Sequence, residues 1–403
     1  MNKTPNRGRT AQNDPEIYLD HAATSFPKPK GVIKEVAWAL EVLTSPGRGH
    51  SRGALQAAAT LESARNKAAR FFGVADPTRL VFTKSATESL NVVLKGFLKR
   101  GDRVVTTSME HNAVARPLSR LAATRDVQVI RVPCSADGSL DGDAFRRALD
   151  PPPSLAVLVH ASNVNGALVA GSEVLALCRA HGVPVLLDAA QTAGLLPIDV
   201  TEHDLGMLAC SGHKGLLGPP GVGLLYIRPD VQVEPLIEGG TGSRSEEWVQ
   251  PRHMPDCFES GTPNVPGIAG VCAGLEHLAS IGGDAVGARE LDLARYAAEN
   301  LEGIPGVRVY RPAVRGGNAV SFTVKGMSPV DVAMILAASG IAVRAGLHCA
   351  PWAHQTLGTY PEGTVRLSPG WCTTQADVDA ALRAVDALIL RRRRRIRGRE
   401  KTS

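Results

Sequence analysis

The chain has no CxxC pair, no apolar run long enough to span a bilayer, no apolar leader core near residue 1, and none of the common nucleotide or hydrolase strings. Each absence removes a class. The seven cysteines, Cys134, Cys178, Cys210, Cys257, Cys272, Cys349 and Cys372, are odd in number and irregularly spaced, which argues against a disulfide framework and a zinc site. A reducing cytoplasm is the expected compartment. The opening "MNKTPNRGRTAQNDPE" offers nothing a secretory or membrane segment needs, so a soluble protein without membrane contact is expected, residues 1–15 being disordered. The glycines of "GRGHSRG" do not fit a dinucleotide fingerprint, and P-loop, HExxH and GxSxG strings are missing. Nucleotide chemistry and simple serine hydrolysis recede accordingly.

What is present begins with charge. The formal net charge of +6 hints at nucleic acid until it is located. The final "RRRRRIRGREKTS" carries seven Arg, one Lys and one Glu, which leaves 37 basic and 38 acidic residues elsewhere. The body is therefore neutral and the basicity is a tail, expected to be a solvated disordered end; nucleic-acid contact through it is the lesser alternative. At 403 residues, 44% of them hydrophobic, the chain is long enough for two domains with substantial cores.

Seven short apolar runs punctuate residues 79–227: "RLVFT" (79–83), "DRVVTTS" (102–108), "VQVIRV" (127–132), "LAVLVHA" (155–161), "VPVLLDA" (183–189), "LGMLACS" (205–211) and "GVGLLYI" (221–227). They are apolar on both faces, as strands covered by helices on each side are, and helical patterns separate most of them. A mostly parallel seven-stranded α/β sheet is predicted, with ligands bound at the carboxyl ends of its strands. After "GTPNVPG" (261–267) the texture changes to a smaller α+β domain with strands near 318–324 and 341–346. Its last helix is capped by Thr374, has Asp377 and Asp379 at its positive end, and carries an apolar stripe of Val378, Leu382, Val385 and Ile389.

Polar residues follow the predicted strands. Asp188 in "LLDAAQTAG" is a carboxylate that needs a cationic or hydrogen-bonding partner to be tolerated in a buried setting, and a protonated ring nitrogen would serve. Lys214 in "SGHKGLLGPPGVG" sits among glycines that leave room for a planar group, and a desolvated lysine is a nucleophile toward aldehydes. "TKSATES" places backbone N–H groups and hydroxyls at a helix start, a phosphate cradle. A lone Asp is more often a cap, a lone Lys a solvated side chain, and "SATES" an ordinary N-cap. Their occurrence together and in this order describes a site for pyridoxal 5'-phosphate.

The strings "YLDHAATSFPKP", "FTKSATESLN", "EHNA", "HASNVNG", "LLDAAQTAG", "SGHKGLLGPPGVGLLY", "FESGTPN" and "RAGLHCAP" resemble those of the fold-type I, class V aminotransferase superfamily. Within it they are similar to the cysteine desulfurases whose cysteine lies in an Arg-x-Gly-x-x-Cys segment. The resemblance runs from about residue 18 to 390.

It implies a fold-type I transferase divided into a disordered 1–15, a segment 16–35 packing with the small domain, a large cofactor-binding domain 36–262, a small C-terminal domain 263–390 and a basic tail 391–403. It implies that Lys214 holds the cofactor as a Schiff base and then acts as general base. Asp188 would pair with the ring nitrogen, Gln191 and Asn163 would address the phenolic oxygen and the substrate, and Ala86, Thr87, Ser211 and His213 would hold the phosphate. His111 would stack on the ring as a catalytic residue, and Arg366 would grip the substrate carboxylate with its guanidinium fork. Thr241 in "GGTGS" would reach the phosphate of a partner subunit in a homodimer. Cys349, made a thiolate by Arg344 or His348, would take sulfur from L-cysteine as a persulfide, release alanine, and pass the sulfur to an acceptor protein or small thiol.

His21 and Leu347 depart from the family's usual strings. His50 carries either a functional or a structural reading, and His160, His181, His203 and His277 read as structural. No metal is expected, because His348, Cys349 and His354 lack a fourth ligand. The alternatives are a selenocysteine lyase, a C–S lyase or an aminotransferase on the same scaffold. A non-enzymatic nucleic-acid or scaffold partner acting through the arginine tail is the remote one.

Overall fold

The computed structural model describes residues 16–46 and 49–400, with the side chains of the last helix as far as Arg392. The short strand β1 (Ile17–Tyr18) is followed by helices α1 (Lys30–Val42) and α2 (Arg52–Phe71). All seven apolar runs then become strands of one sheet. In chain order they are β2 (Leu80–Thr83), α3 (Ala86–Phe97), β3 (Arg103–Thr107), α4 (Asn112–Arg125), β4 (Gln128–Val132), α5 (Gly142–Ala148), β5 (Leu155–Val159), α6 (Ser172–Ala180), β6 (Val185–Asp188), β7 (Met207–Ser211) and β8 (Gly223–Ile227).

The strands lie in the order β2-β8-β7-β6-β5-β3-β4. Neighbours from β4 to β7 pair in parallel, and only β8 runs against both its neighbours. Side-chain alternation feeds two cores: Leu158, Leu187, Leu208 and Leu224 enter one, and Val157, Leu186, Met207 and Leu225 the other. Each such Leu or Val, when fully buried, contributes about 1.5–3 kcal/mol. This is why the runs read as apolar throughout.

The C-terminal part comprises α7 (Val265–Ile281), α8 (Gly283–Glu302), β9 (Val307–Val309), β10 (Val320–Val324), α9 (Pro329–Ala338), β11 (Ile341–Ala342), β12 (Arg344–Gly346), α10 (Pro351–Thr356), β13 (Thr364–Leu367) and α11 (Gln375–Glu400). β12-β13-β10-β9 form an antiparallel sheet backed by α8, α9 and α11. α7, placed by sequence in the small domain, packs instead into the large core through Ile268, Val271, Leu275 and Leu278. Its apolar positions match the face of the large sheet, and the chain passes into the smaller unit at Gly282. β1 pairs in parallel with β11, and Asp20 bridges to Ser368, so the first described residues are stitched to the small unit.

Thr374 caps α11 as expected, exchanging bonds with Asp377, and Val378, Val385 and Ile389 are buried. The expectation of a disordered tail from 391 gives way to helix through Glu400, with Arg392 donating to the Lys325 carbonyl. The expected disorder of residues 1–15, and residues 401–403, lie outside the described residues. Among the described residues no single helix is long and apolar enough to cross a membrane.

Candidate active site

At the carboxyl ends of β5, β6 and β7 a cavity of about 240 Å3 opens. It is lined by Ala86, Thr87, His111, Asn163, Asp188, Gln191, Ser211, His213 and Lys214, so nine of the residues singled out from sequence meet in one place. β7 ends at Ser211, and the turn after it is built on glycine. A Cβ at Gly212 would strike Val271, and one at Gly215 would strike the Ala193 carbonyl, so only glycine lets this turn lie flat on the sheet end and aim Lys214 inward.

The same turn is held from outside. The His213 carbonyl accepts from Ser25 N at 3.0 Å, Thr24 Oγ1 at 3.1 Å, Ser25 Oγ at 3.1 Å and Lys28 Nζ at 2.8 Å. Lys28 was not anticipated, and burial brings its pKa down to about 8.

Electrostatics push the central pair toward neutrality. Burial lowers Lys214 to about 8, a shift that Asp188 opposes and Arg366 adds to. Burial raises Asp188, opposed by a 3.0 Å hydrogen bond from Ala190 N and by Lys214. A cationic ring nitrogen would restore the charge that Asp188 lacks a full partner for. The start of α3 supplies the other end of the cavity: Ser85 caps the helix by accepting from Glu88 N at 3.3 Å, and Ala86 N donates to Ser211 Oγ at 3.1 Å.

His111 caps α4, its Nδ1 accepting from Ala113 N at 3.0 Å. That bond fixes the tautomer with the proton on Nε2. Burial, Lys214 and Arg366 hold the ring's pKa at about 4, so it is a neutral, flat surface facing the cavity. Gln191 Nε2 donates to Ala22 O at 3.0 Å. Asn163 Nδ2 donates to His348 O at 2.7 Å, while its Oδ1 is buried without a partner. Beneath His111 lies Glu110, fully buried and raised to about 8 by burial, which accepts from Thr107 Oγ1 and Val159 N.

Arg366 stands on β13, buried, with Nη1 on the Asn163 carbonyl at 3.0 Å and Nη2 on Asp20 Oδ1 at 2.7 Å; its Nε has no partner. The other Asp20 oxygen holds Arg344 at 2.8 Å. One carboxylate thus orients two guanidinium groups. Asp20 was missed by the sequence reading, although a lone acid directly after the run Ile17, Tyr18 and Leu19 is the signal that marks it.

Cys349 is exposed and sits on a turn where His348 and Cys349 both have positive φ, 47° and 57°. For residues with a Cβ this costs roughly 1–2 kcal/mol each. The turn is pinned by Asn163 on His348 O and by Asn112 N on Cys349 O at 2.8 Å, and α10 begins two residues later. Cys349 lies near enough to Lys214 for its charge to favour the protonated amine. His348 is not the cation expected beside the thiol. It is buried, bonded to Thr364 Oγ1 at 3.1 Å, and driven down to about 2 by burial and by Arg366. Arg344 alone of the two expected groups carries charge there.

Thr241 is not brought to the cavity by this chain. It lies in the loop before α7, with Oγ1 bonded to Ser243. His160, read as structural, is buried against Thr192.

An aldehyde-reactive amine, a buried carboxylate, a helix start and a flat neutral imidazole around one cavity define a pyridoxal phosphate site, and the residues present fit that group. The chain matches the Aminotransferase class-V family over residues 17–381 and belongs to it. Within that family it is a member of the cysteine desulfurases, which depend on pyridoxal phosphate. It is 33% identical to a probable cysteine desulfurase of Halalkalibacterium halodurans, over 92% of this chain and 93% of that one. It is 34% identical to a cysteine desulfurase of Salmonella agona, over 83% and 84%. Among solved structures, a cysteine desulfurase of Thermococcus onnurineus superposes with a TM-score of 0.86 at 34% identity, covering 93% of this chain and 94% of that chain. One from Escherichia coli, with an S-sulfonic acid, superposes with a TM-score of 0.84 at 31% identity, covering 93% and 94%.

Proposed function

We propose that the chain converts L-cysteine to L-alanine and takes the sulfur onto Cys349 as a persulfide. The observation that carries this is Cys349 itself: an exposed thiol, held on a pinned, strained turn, electrostatically coupled to Lys214. An aminotransferase or a direct lyase has no use for such a residue.

Lys214 would hold pyridoxal phosphate, Asp188 would pair with its ring nitrogen, His111 would stack on its ring, Ala86, Thr87, Ser211 and His213 would hold its phosphate, and the group so held would supply an electron sink for the substrate. Gln191 and Asn163 would address its phenolic oxygen and the substrate. Arg366, oriented by Asp20, binds the substrate carboxylate. Lys214, easily deprotonated, takes the Cα proton. The Cys349 thiolate bonds to the substrate sulfur as the Cβ–S bond breaks, and the carbon product leaves as alanine once Cβ has taken up a proton equivalent to the one the Cys349 thiol gave up and Cα has regained its own. The persulfide then serves an acceptor protein or a small thiol.

We further infer a cytoplasmic homodimer. Seven unpaired thiols suit a reducing compartment, and the loop carrying Thr241 exposes Trp248 and Val249, which suits a second subunit whose phosphate site Thr241 completes.

Mass spectrometry of Cys349 after L-cysteine treatment tests the reading: a one-sulfur adduct on that residue is expected, and its absence while alanine accumulates would overturn the persulfide step. Cys349→Ser should keep the yellow colour and lose desulfuration, whereas Lys214→Ala should lose the colour.

A further inference from the structure

A second, smaller chamber also reaches Lys214 and Gln191. Its volume is about 20 Å3. One water molecule needs about 10–15 Å3 and two to four polar partners. Such partners are at hand. His21 is 5% exposed, yet neither ring nitrogen has a hydrogen-bonding partner; the Tyr18 carbonyl lies only near enough to favour protonation. Glu290, 8% exposed, enters from α8, its Oε2 accepting from Asn318 Nδ2 at 3.0 Å. Arg289, the cation acting on Glu290, directs its guanidinium to the Trp371 carbonyl instead. Ser25 completes the polar wall, and Trp371 closes the outer side.

None of these groups has a part in the reaction set out above. Burial keeps His21 neutral, its pKa down at about 4, and raises Glu290 to about 8. That places Glu290 level with Lys214 at about 8, the matched condition under which protons pass readily in both directions.

We propose that this chamber binds one water molecule between Glu290 and His21, and that through it Lys214 exchanges with Glu290 the proton it takes from the substrate. Where Glu290 is ionised, as a minority of molecules with a pKa of about 8 are at pH 7, the Lys214 ammonium donates a proton to the water, which gives one to the Glu290 carboxylate, and the reverse transfer restores both. Only N–H and O–H bonds are made and broken, so no oxidant or reductant is involved. Glu290 is a positioning and proton-holding residue, since it touches neither the substrate nor the cofactor cavity. The inference rests on Lys214 being the group that takes the Cα proton.

Three measurements test it. A crystal structure of the protein without substrate should hold one ordered water bonded to Glu290 and His21, and His21→Leu should empty the chamber. Infrared spectra of the same protein at pH 7 should contain protonated-carboxyl absorption from both Glu290 and the buried Glu110, of which Glu290→Gln removes the Glu290 component; that variant keeps the bond from Asn318 and so tests charge rather than folding. With L-cysteine deuterated at Cα, Glu290→Gln should raise severalfold the share of deuterium carried into alanine, because the label on Lys214 loses its exit. A dry chamber, a band unaffected by Glu290→Gln, or unchanged label retention would overturn the proposal. Failure of the native protein to form alanine at all would instead overturn the desulfurase reading, leaving the water and the band as independent readouts.

Discussion

Asp20 shows how much a single side chain can decide. Its two oxygens hold Arg366 and Arg344, so Asp20→Asn should loosen both. Removing one partner of a buried ion pair leaves the other charge uncompensated, at a cost of about 3–5 kcal/mol. The expected result is a rise in KM for L-cysteine from the misaligned Arg366, together with a lower thermal midpoint; a variant with native KM would remove Asp20 from the carboxylate site. Lys214 provides a second residue-level test. Its folded-state pKa of about 8 lies below the unfolded value of about 10.4. Between these two values the unfolded chain binds more protons, so this group makes stability rise with pH through that window and opposes folding below it. In the cofactor-free protein, Lys214→Met should therefore be more stable than native at pH 7, and the gap should narrow toward pH 10, as measured by denaturant titration at each pH.

Among the elements, the turn 348–349 and the start of α4 carry the most chemistry per residue. Because Cys349 is left-handed, Cys349→Gly should be more stable than Cys349→Ala by about 1 kcal/mol, while neither forms a persulfide. Equal stability of the two variants would show that the turn relaxes in solution. His111 both caps α4 and faces the cavity, so His111→Ala should lose about 1 kcal/mol of stability besides its effect on catalysis, and His111→Asn should recover the cap alone. Comparison of the two by thermal unfolding separates the roles. The strands, by contrast, were plain in the sequence: every run from "RLVFT" to "GVGLLYI" became one, because burial on both faces leaves an unbroken apolar signature. Lys214 and Asp188 were equally legible, since Asp188 ends one such strand and Lys214 lies three residues beyond another. Residues that come together across long separations were not. Asp20 meets Arg366 from the opposite end of the chain, His21 and Glu290 share a chamber through no motif, and α7 declared its apolar character without declaring which core it would enter. His348 read as a cation because sequence carries no measure of burial, and burial is what neutralises it.

The molecule as a whole concentrates its net basic charge in residues 391–403 of its sequence. Among the described side chains of α11, Ile389 is the last in the core of the small unit, and deletion of residues 393–403 should leave the thermal midpoint and the yellow colour unchanged. The same deletion should abolish any salt-dependent retention on a polyanion column, and persistence of that retention would place the basic surface elsewhere. The stitching of β1 to β11 sets a further condition, one of timing. Ile17 finds its partner, Ile341, more than 300 residues later. At about 5–20 residues per second of synthesis, the opening strand waits on the order of 15–60 s for it. Thr24, Ser25 and Lys28, which clamp the Lys214 turn, belong to that same waiting segment. The nascent chain on the ribosome can thus complete its large sheet while its site is still open, and the segment that clamps the Lys214 turn finds its strand partner only once residue 341 has been made, shortly before Cys349 itself.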